Sequence, residues 1–220
     1  MSKKLFNLVF IGPPGGGKGT EIQLLQKKKY YKISTGDLLR NEISKGTALG
    51  KSIQKDMDEG KLIKDLIVTK LLDHELKEYN NGLIFDGYPR NIKQAKTLDK
   101  LLDKNNLTID AVIHIDTPDK VIIERIVGRY ICKKCGATYN KFGLNPKVEG
   151  VCDVCKGTEF KVRNDDKLSV VKKRLKDYHI EADALLGYYD KKGIVYDING
   201  GNQIDNHKLV LKVFKELKKN

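Results

Sequence analysis

Short apolar runs alternate along this chain with longer stretches of helical period. Leu5 to Ile11 is a β-rich apolar run that ends in glycines, the pattern of a strand covered on both faces of a parallel sheet. Four comparable runs follow: Tyr31 to Ile33, Leu83 to Phe85, Ala111 to Ile115 and Ile194 to Ile198. Between them, Ile92 to Asp103 and Lys120 to Val127 carry helical spacing. Leu168, Val171, Leu175, Tyr178, Ala182, Leu185 and Tyr189 step by alternating threes and fours. Strands alternating with helices predict an α/β fold, a five-stranded parallel sheet with helices on both faces.

Two stretches break the alternation. Residues 34–63 contain helix-forming polar sequence without a strand, punctuated by Gly36, Gly46, Gly50 and Gly60. Residues 128–165 hold all the cysteines and little helical pattern. Both read as insertions projecting from the carboxyl edge of the sheet, where open α/β folds put their ligands. Residues 1–33, 64–127 and 166–220 then form the core domain.

Length and composition narrow the class. The chain has 220 residues, 40% hydrophobic and 32% charged, enough for one α/β domain with insertions. No apolar run approaches the ~20 residues of a membrane span. Ser2-Lys3-Lys4 before an apolar run superficially matches a signal peptide, but Asn7 interrupts that run and no small-residue cleavage site follows. A cytoplasmic protein is expected. The net charge of +13 points to polyanionic partners. Because lysine is scattered throughout, the positions of the few arginines carry more information than the total.

Directly after the first run comes Gly12-Pro13-Pro14-Gly15-Gly16-Gly17-Lys18-Gly19-Thr20, followed by Ile22, Leu24 and Leu25. Strand, glycine loop and helix start in that order form a nest of backbone N–H groups aimed at an anion. Lys18 would reach the β- and γ-phosphates of a nucleotide. Gly19 stands where the strict phosphate-loop pattern has a hydroxyl, and Thr20 comes one residue later. Leu83-Ile84-Phe85-Asp86 ends a strand in a carboxylate, a suitable position for orienting Mg²⁺ through water.

Gly87-Tyr88-Pro89-Arg90, Ser34-Thr35-Gly36-Asp37-Leu38-Leu39-Arg40, Gly60-Lys61-Leu62-Ile63 and the GPPGGGKGT loop together resemble the adenylate kinase family. The likeness runs from Phe10 through Asn202, and the long cysteine-bearing segment places it with the zinc-bearing long form. The resemblance implies a P-loop NTPase-like fold with two mobile lids and the reaction Mg·ATP + AMP = 2 ADP, serving adenine nucleotide homeostasis and purine salvage. It implies catalytic roles for Lys18, Asp86, Arg90, Arg129, Arg163 and Arg174. ATP would be held by Gly15, Gly16, Gly17, Lys18, Gly19, Thr20, Arg125, Arg129, Asn202 and the backbone of Thr138 and Tyr139. AMP would be held by Thr35, Arg40, Lys61, Leu62, Ile63, Gly87, Tyr88, Pro89, Arg90, Gln94, Arg163 and Arg174, with the Gln94 amide on the adenine edge. Lys93 and Asn140 depart from residues common in the family, which implies looser packing at the acceptor loop and on the donor-adenine side.

The chemistry agrees with the resemblance. Joining two polyanions requires cations around a closed, dry site, and guanidinium holds phosphate oxygens in a planar fork. No general base is needed, because the attacking phosphate oxygen is already anionic. His74, His114, His179 and His207 sit in unrelated contexts and read as structural or solvent-facing.

Cys132-x-x-Cys135, sixteen residues, then Cys152-x-x-Cys155 has the spacing of a four-thiolate structural zinc site, with iron as the competing metal. Two other functions compete with an adenylate kinase: a kinase for another nucleoside monophosphate, and a nucleic-acid-binding ATPase gripping its ligand through the cysteine knuckle. Thr35 and Gln94 argue against the first. The second would call for stacking aromatics, and aromatic residues make up 7% with no Trp. The expected partners are ATP, AMP and ADP, with no nucleic acid or membrane, acting on a monomer.

Overall fold

The computed structural model describes residues 5–59, 61, 63–79, 81–199 and 203–219. The first strand, β1 (Leu8–Ile11), lies at the centre of a five-stranded parallel sheet. It pairs on one side with β3 (Leu83–Asp86), which pairs with β2 (Tyr31–Ser34). On its other side β1 pairs with β4 (Ala111–Ile115), which pairs with β8 (Val195–Ile198). All five predicted runs are therefore strands of one sheet.

The alternation of side chains along β1 divides the core in two. Val9 and Ile11 face a cluster built with α4 (Asp65–Glu78), α5 (Ile92–Lys104) and the long helix α7 (Leu168–Asp190), through residues such as Leu72, Leu98 and Tyr189. Leu8 and Phe10 face the opposite cluster, where α1 (Lys18–Gln26) and α8 (Gln203–Leu217) contribute Ile22, Leu25, Val210 and Phe214. Every β1 residue is buried, as a central parallel strand requires. Each such aliphatic side chain contributes about 1.5–3 kcal/mol by leaving water. A further helix, α6 (Asp119–Val127), packs Ile122 and Ile126 on Val171 and Leu175 of α7.

The expected strand began at Leu5, whereas the observed one begins at Leu8. Asn7 accounts for part of the difference. Its Oδ1 accepts from Leu83 N at 3.1 Å, its Nδ2 donates to the Thr108 carbonyl at 3.0 Å, and its own N–H donates to the Asp110 carboxylate at 2.7 Å. A buried amide side chain thus joins the foot of β1 to the segments entering β3 and β4.

Residues 34–63 form a helix pair, α2 (Thr35–Ser44) and α3 (Ala48–Asp58). Ser34 and Thr47 cap them by accepting from Asp37 N and Gly50 N. The helices approach closely because a Cβ at Gly50 would lie 2.7 Å from the Glu42 carbonyl. Leu39, Ile53 and Ile63 belong to the same apolar cluster as the sheet. Residues 128–165 instead carry their own antiparallel sheet, β5 (Arg129–Cys132) between β6 (Thr138–Asn140) and β7 (Phe160–Lys161). Their small core consists of Cys132, Tyr139 and Cys152 with Tyr130, Ala137, Cys155 and Phe160. Among the described residues no helix is long and apolar enough to cross a membrane.

Candidate active site

The carboxyl ends of β3, β1 and β4 lie side by side and open into a cleft of about 980 Å³. β1 delivers the glycine loop. Gly12 is required where the loop leaves the sheet, because a Cβ there would lie 2.4 Å from the Ile115 carbonyl oxygen. Gly15 adopts φ +79°, and a side chain on it would also strike Ile126. The loop is braced by Gly16 N donating to the Pro13 carbonyl at 3.0 Å and by Thr117 Oγ1 donating to the Gly16 carbonyl at 3.0 Å. Lys18 opens α1 and folds back over the loop, donating to the carbonyls of Gly12 at 2.6 Å and Pro13 at 2.8 Å. Burial lowers the Lys18 pKa to about 8; Arg174, Arg90 and Arg129 add to that effect, and Asp86 opposes it. Gly17, Gly19, Thr20 and Asp86 all line the cleft.

The arginines meet in this space. Arg40 on α2 donates to Asp37 at 2.5 Å, and Lys32 on β2 holds the same carboxylate at 2.5 Å. Burial alone would raise the Asp37 pKa, but those two cations bring it down to about 2. Arg163 pairs with Asp165, which also accepts from Arg174 Nη1 at 3.2 Å. Asp165 is likewise held at about 2, its burial outweighed by Arg163 and Arg174. Burial takes Arg174 down to about 10, Asp165 opposing and Arg90, Arg163 and Arg129 adding to the fall. Arg129 makes a two-pronged contact with the buried carboxylate of Asp166. The sequence reading missed Asp37, Asp165, Asp166 and Thr117. The Asp165-Asp166 doublet between Arg163 and Arg174 was the available signal.

The other acceptor-side residues gather around β3. Arg90 Nε donates to the Gly87 carbonyl at 2.9 Å, and Thr35 Oγ1 donates to the same oxygen at 3.1 Å. Tyr88 and Pro89 are buried behind them, and Ile63 lines the cleft. Gln94 is also buried, but its amide is engaged: Oε1 accepts from Arg90 N at 2.8 Å and Nε2 donates to Asp65 at 2.9 Å. Lys93 joins Asp65 at 3.0 Å, so the departure there adds an ion pair at the loop. Lys61 is exposed and paired with Glu59. Leu62 and Asn202 lie outside the described residues.

On the donor side, Arg125 is exposed at the cleft rim beside Gly17. Thr138 is exposed in the same wall, whereas the Tyr139 ring turns away into the cysteine core. Asn140 donates to the Arg125 carbonyl and accepts from Phe142 N, so it joins the cysteine segment to the end of α6. His114, His179 and His207 each rest on a carboxylate, those of Asp197, Asp119 and Glu21.

The four cysteine sulfurs lie within 4.8 Å of one another. Cys132 and Cys155 are 3.6 Å apart, as are Cys135 and Cys152. A tetrahedral zinc with bonds near 2.3 Å sets sulfurs about 3.8 Å apart, so the cluster fits that ion. Burial would raise the Cys152 pKa, but donors from Tyr139 and the N–H groups of Cys155 and Val154 bring it below the usual thiol value.

A glycine loop on the central strand of a parallel sheet, crossed by arginines from two insertions, defines a P-loop phosphotransferase for nucleotides. The adenylate kinase family profile matches residues 10–194, and the chain belongs to that family. Its relatives include an adenylate kinase of Paramagnetospirillum magneticum, 48% identical over 88% of this chain and 91% of that protein. Adenylate kinases of Caldicellulosiruptor bescii and Limosilactobacillus reuteri are 44% and 42% identical over 93% and 97% of the chain, each with 97% of its own length covered.

Proposed function

We propose that the protein catalyses Mg·ATP + AMP = 2 ADP as a cytoplasmic monomer, maintaining the adenine nucleotide balance. The observation that carries this reading is that arginines from two separate insertions line one cleft with the glycine loop. Transfer between two nucleotides needs two anion-binding walls, and a simple hydrolase needs one. Gly15 to Thr20 cradle the ATP phosphates, and Lys18 exchanges its loop carbonyls for phosphate oxygens. Arg40 and Arg90 fix the AMP phosphate. Arg129, Arg163 and Arg174 surround the group in transit, where preorganised charge contributes most. Thr35, Lys61, Ile63 and Gly87 to Pro89 frame the acceptor, with Gln94 shaping its wall through Arg90 and Asp65. Arg125, Thr138 and the Tyr139 backbone border the donor base.

Asp86 offers the hard oxygen that Mg²⁺ prefers, and the ion would neutralise phosphate charge when bound with ATP. Zinc in Cys132, Cys135, Cys152 and Cys155 would hold the cysteine segment together, with no coordination position left for substrate. The test is a coupled assay for ADP formed from ATP and AMP in the absence of nucleic acid, with GMP, CMP and UMP in parallel. ADP formation with AMP alone supports the reading. Preference for another monophosphate, or hydrolysis without any acceptor, overturns it.

A further inference from the structure

Within the knuckle, Tyr139 carries a buried hydroxyl that the phosphate chemistry does not use. Tyr139 stands in β6 with its ring 95% buried, stacked on Tyr130 at 5.8 Å and edge-on to Phe160 at 5.7 Å. Its hydroxyl oxygen accepts from Asp153 N at 2.7 Å, which leaves the single phenolic proton for another partner. That partner is Cys152 Sγ, 3.3 Å away on a fully buried cysteine. Four thiolates around a divalent ion carry a net charge of about −2, and a buried anion of that kind requires donors to its ligand atoms.

We propose that Tyr139 is the outer-shell positioning residue of the metal centre, its O–H orienting the Cys152 sulfur and holding the metal through it. The inference rests on the zinc reading above. It also connects the metal to the nucleotide cleft. Asn140, the next residue, bonds the Arg125 carbonyl, and Thr138, the preceding one, lines the cleft wall. A metal-ligand sulfur is thus one hydrogen bond from the strand that borders the donor base. Outer-shell partners of this kind typically alter metal affinity by about 10- to 100-fold.

The test compares Tyr139→Phe with the parent in the full-length, metal-loaded protein. The metal content of the purified parent is measured first, and a parent without metal overturns the zinc reading together with this one. With metal present, the variant should release it to a chromophoric chelator about 10-fold faster or more. In the cobalt-substituted form its thiolate-to-metal charge-transfer band should move to lower energy, because a sulfur without a hydrogen bond gives up electron density more readily. Tyr139→Leu, which also loses the ring contacts, measures the packing contribution and should give no larger a band shift. If Tyr139→Phe melts earlier yet keeps the parent's band and release rate, the hydroxyl only clasps the Asp153 turn. That outcome overturns the inference and leaves the zinc reading standing.

Discussion

The two insertions reach the same cleft but are held together by different physics. Residues 34–63 are a capped helix pair whose Leu39, Ile53 and Ile63 belong to the main apolar core. The cysteine segment shares none of that core and relies on three aromatic rings and a sulfur cluster. Apolar burial stabilises in proportion to area, and a short segment with few large aliphatics cannot build enough of it. A metal can supply the missing folding energy. Yet both insertions present their arginines in the same way, with a carboxylate behind the guanidinium: Asp37 behind Arg40, and Asp165 and Asp166 behind Arg163 and Arg129. The presentation of the cations is thus shared while the scaffolds differ.

The most severe test removes the buried cation of the glycine loop, in the cleft that both insertions line. Lys18→Met should lower turnover on the order of 10²-fold or more with melting little changed. Unaltered turnover in a folded variant would overturn the role proposed for Lys18. Next in size is a matched pair of scaffold variants. Ile53→Ala should cost about 2–5 kcal/mol in the global unfolding transition, since its cavity opens in the shared core. Cys152→Ser should release metal on mild heating and melt the cysteine segment ahead of the core, with activity in the cold largely kept. A single cooperative transition in both variants would erase the distinction drawn here.

The pH dependence sharpens the electrostatic half of the comparison. Lys18 is depressed to about 8 in the folded protein, against about 10.5 for an ordinary lysine. The unfolded chain therefore binds more protons between those values, and this group's contribution to stability improves as pH rises through them. Phosphate in the loop restores the ammonium form, so ATP binding near pH 8.5 should take up protons. Calorimetry in buffers of different ionisation enthalpy would detect the uptake, and Lys18→Met should abolish it. Asp37 and Asp165 have the same slope in a different window: depressed to about 2, they contribute stability that is present above about pH 4 and lost as pH falls towards 2. The smallest expected effect is at the join between the regions. Asn140→Ala removes hydrogen bonds to Arg125 and Phe142 and should cost about 1 kcal/mol, detectable as a lower melting temperature for the cysteine segment alone.

Most of the sheet, the phosphate loop and the cysteine pairs were legible in the sequence because each is a local pattern. Short apolar runs identify the buried strands, period-three-to-four spacing identifies helices, and glycine spacing identifies the loop. Of the contacts that position the arginines and the loop, the remote ones were not legible. Asp166 reaches Arg129 and Thr117 reaches Gly16 across separations of 37 and 101 residues, distances that no local period encodes. The departures at Lys93 and Asn140 were read as losses because only the missing family residue was visible. The structure gives each a partner, Asp65 and the Arg125 carbonyl respectively. For Gln94 only the chemistry of the amide was legible, and its partners in the fold are Arg90 N and Asp65.

Asn7 has a consequence for the order in which the protein folds. Its side chain and backbone join positions 76 and 103 residues away, at the feet of the two strands flanking β1. The strand that carries the glycine loop is thus the first of the sheet to leave the ribosome, and it must wait for β3 and β4 before it has neighbours on both sides. Pairings this remote in sequence slow folding, and an unpaired apolar strand is prone to aggregate while it waits. The buried amide penalises a slipped register, since a one-residue shift would leave its polar atoms without partners. Asn7→Leu would therefore be expected to slow refolding and increase off-pathway association during synthesis, well away from any nucleotide.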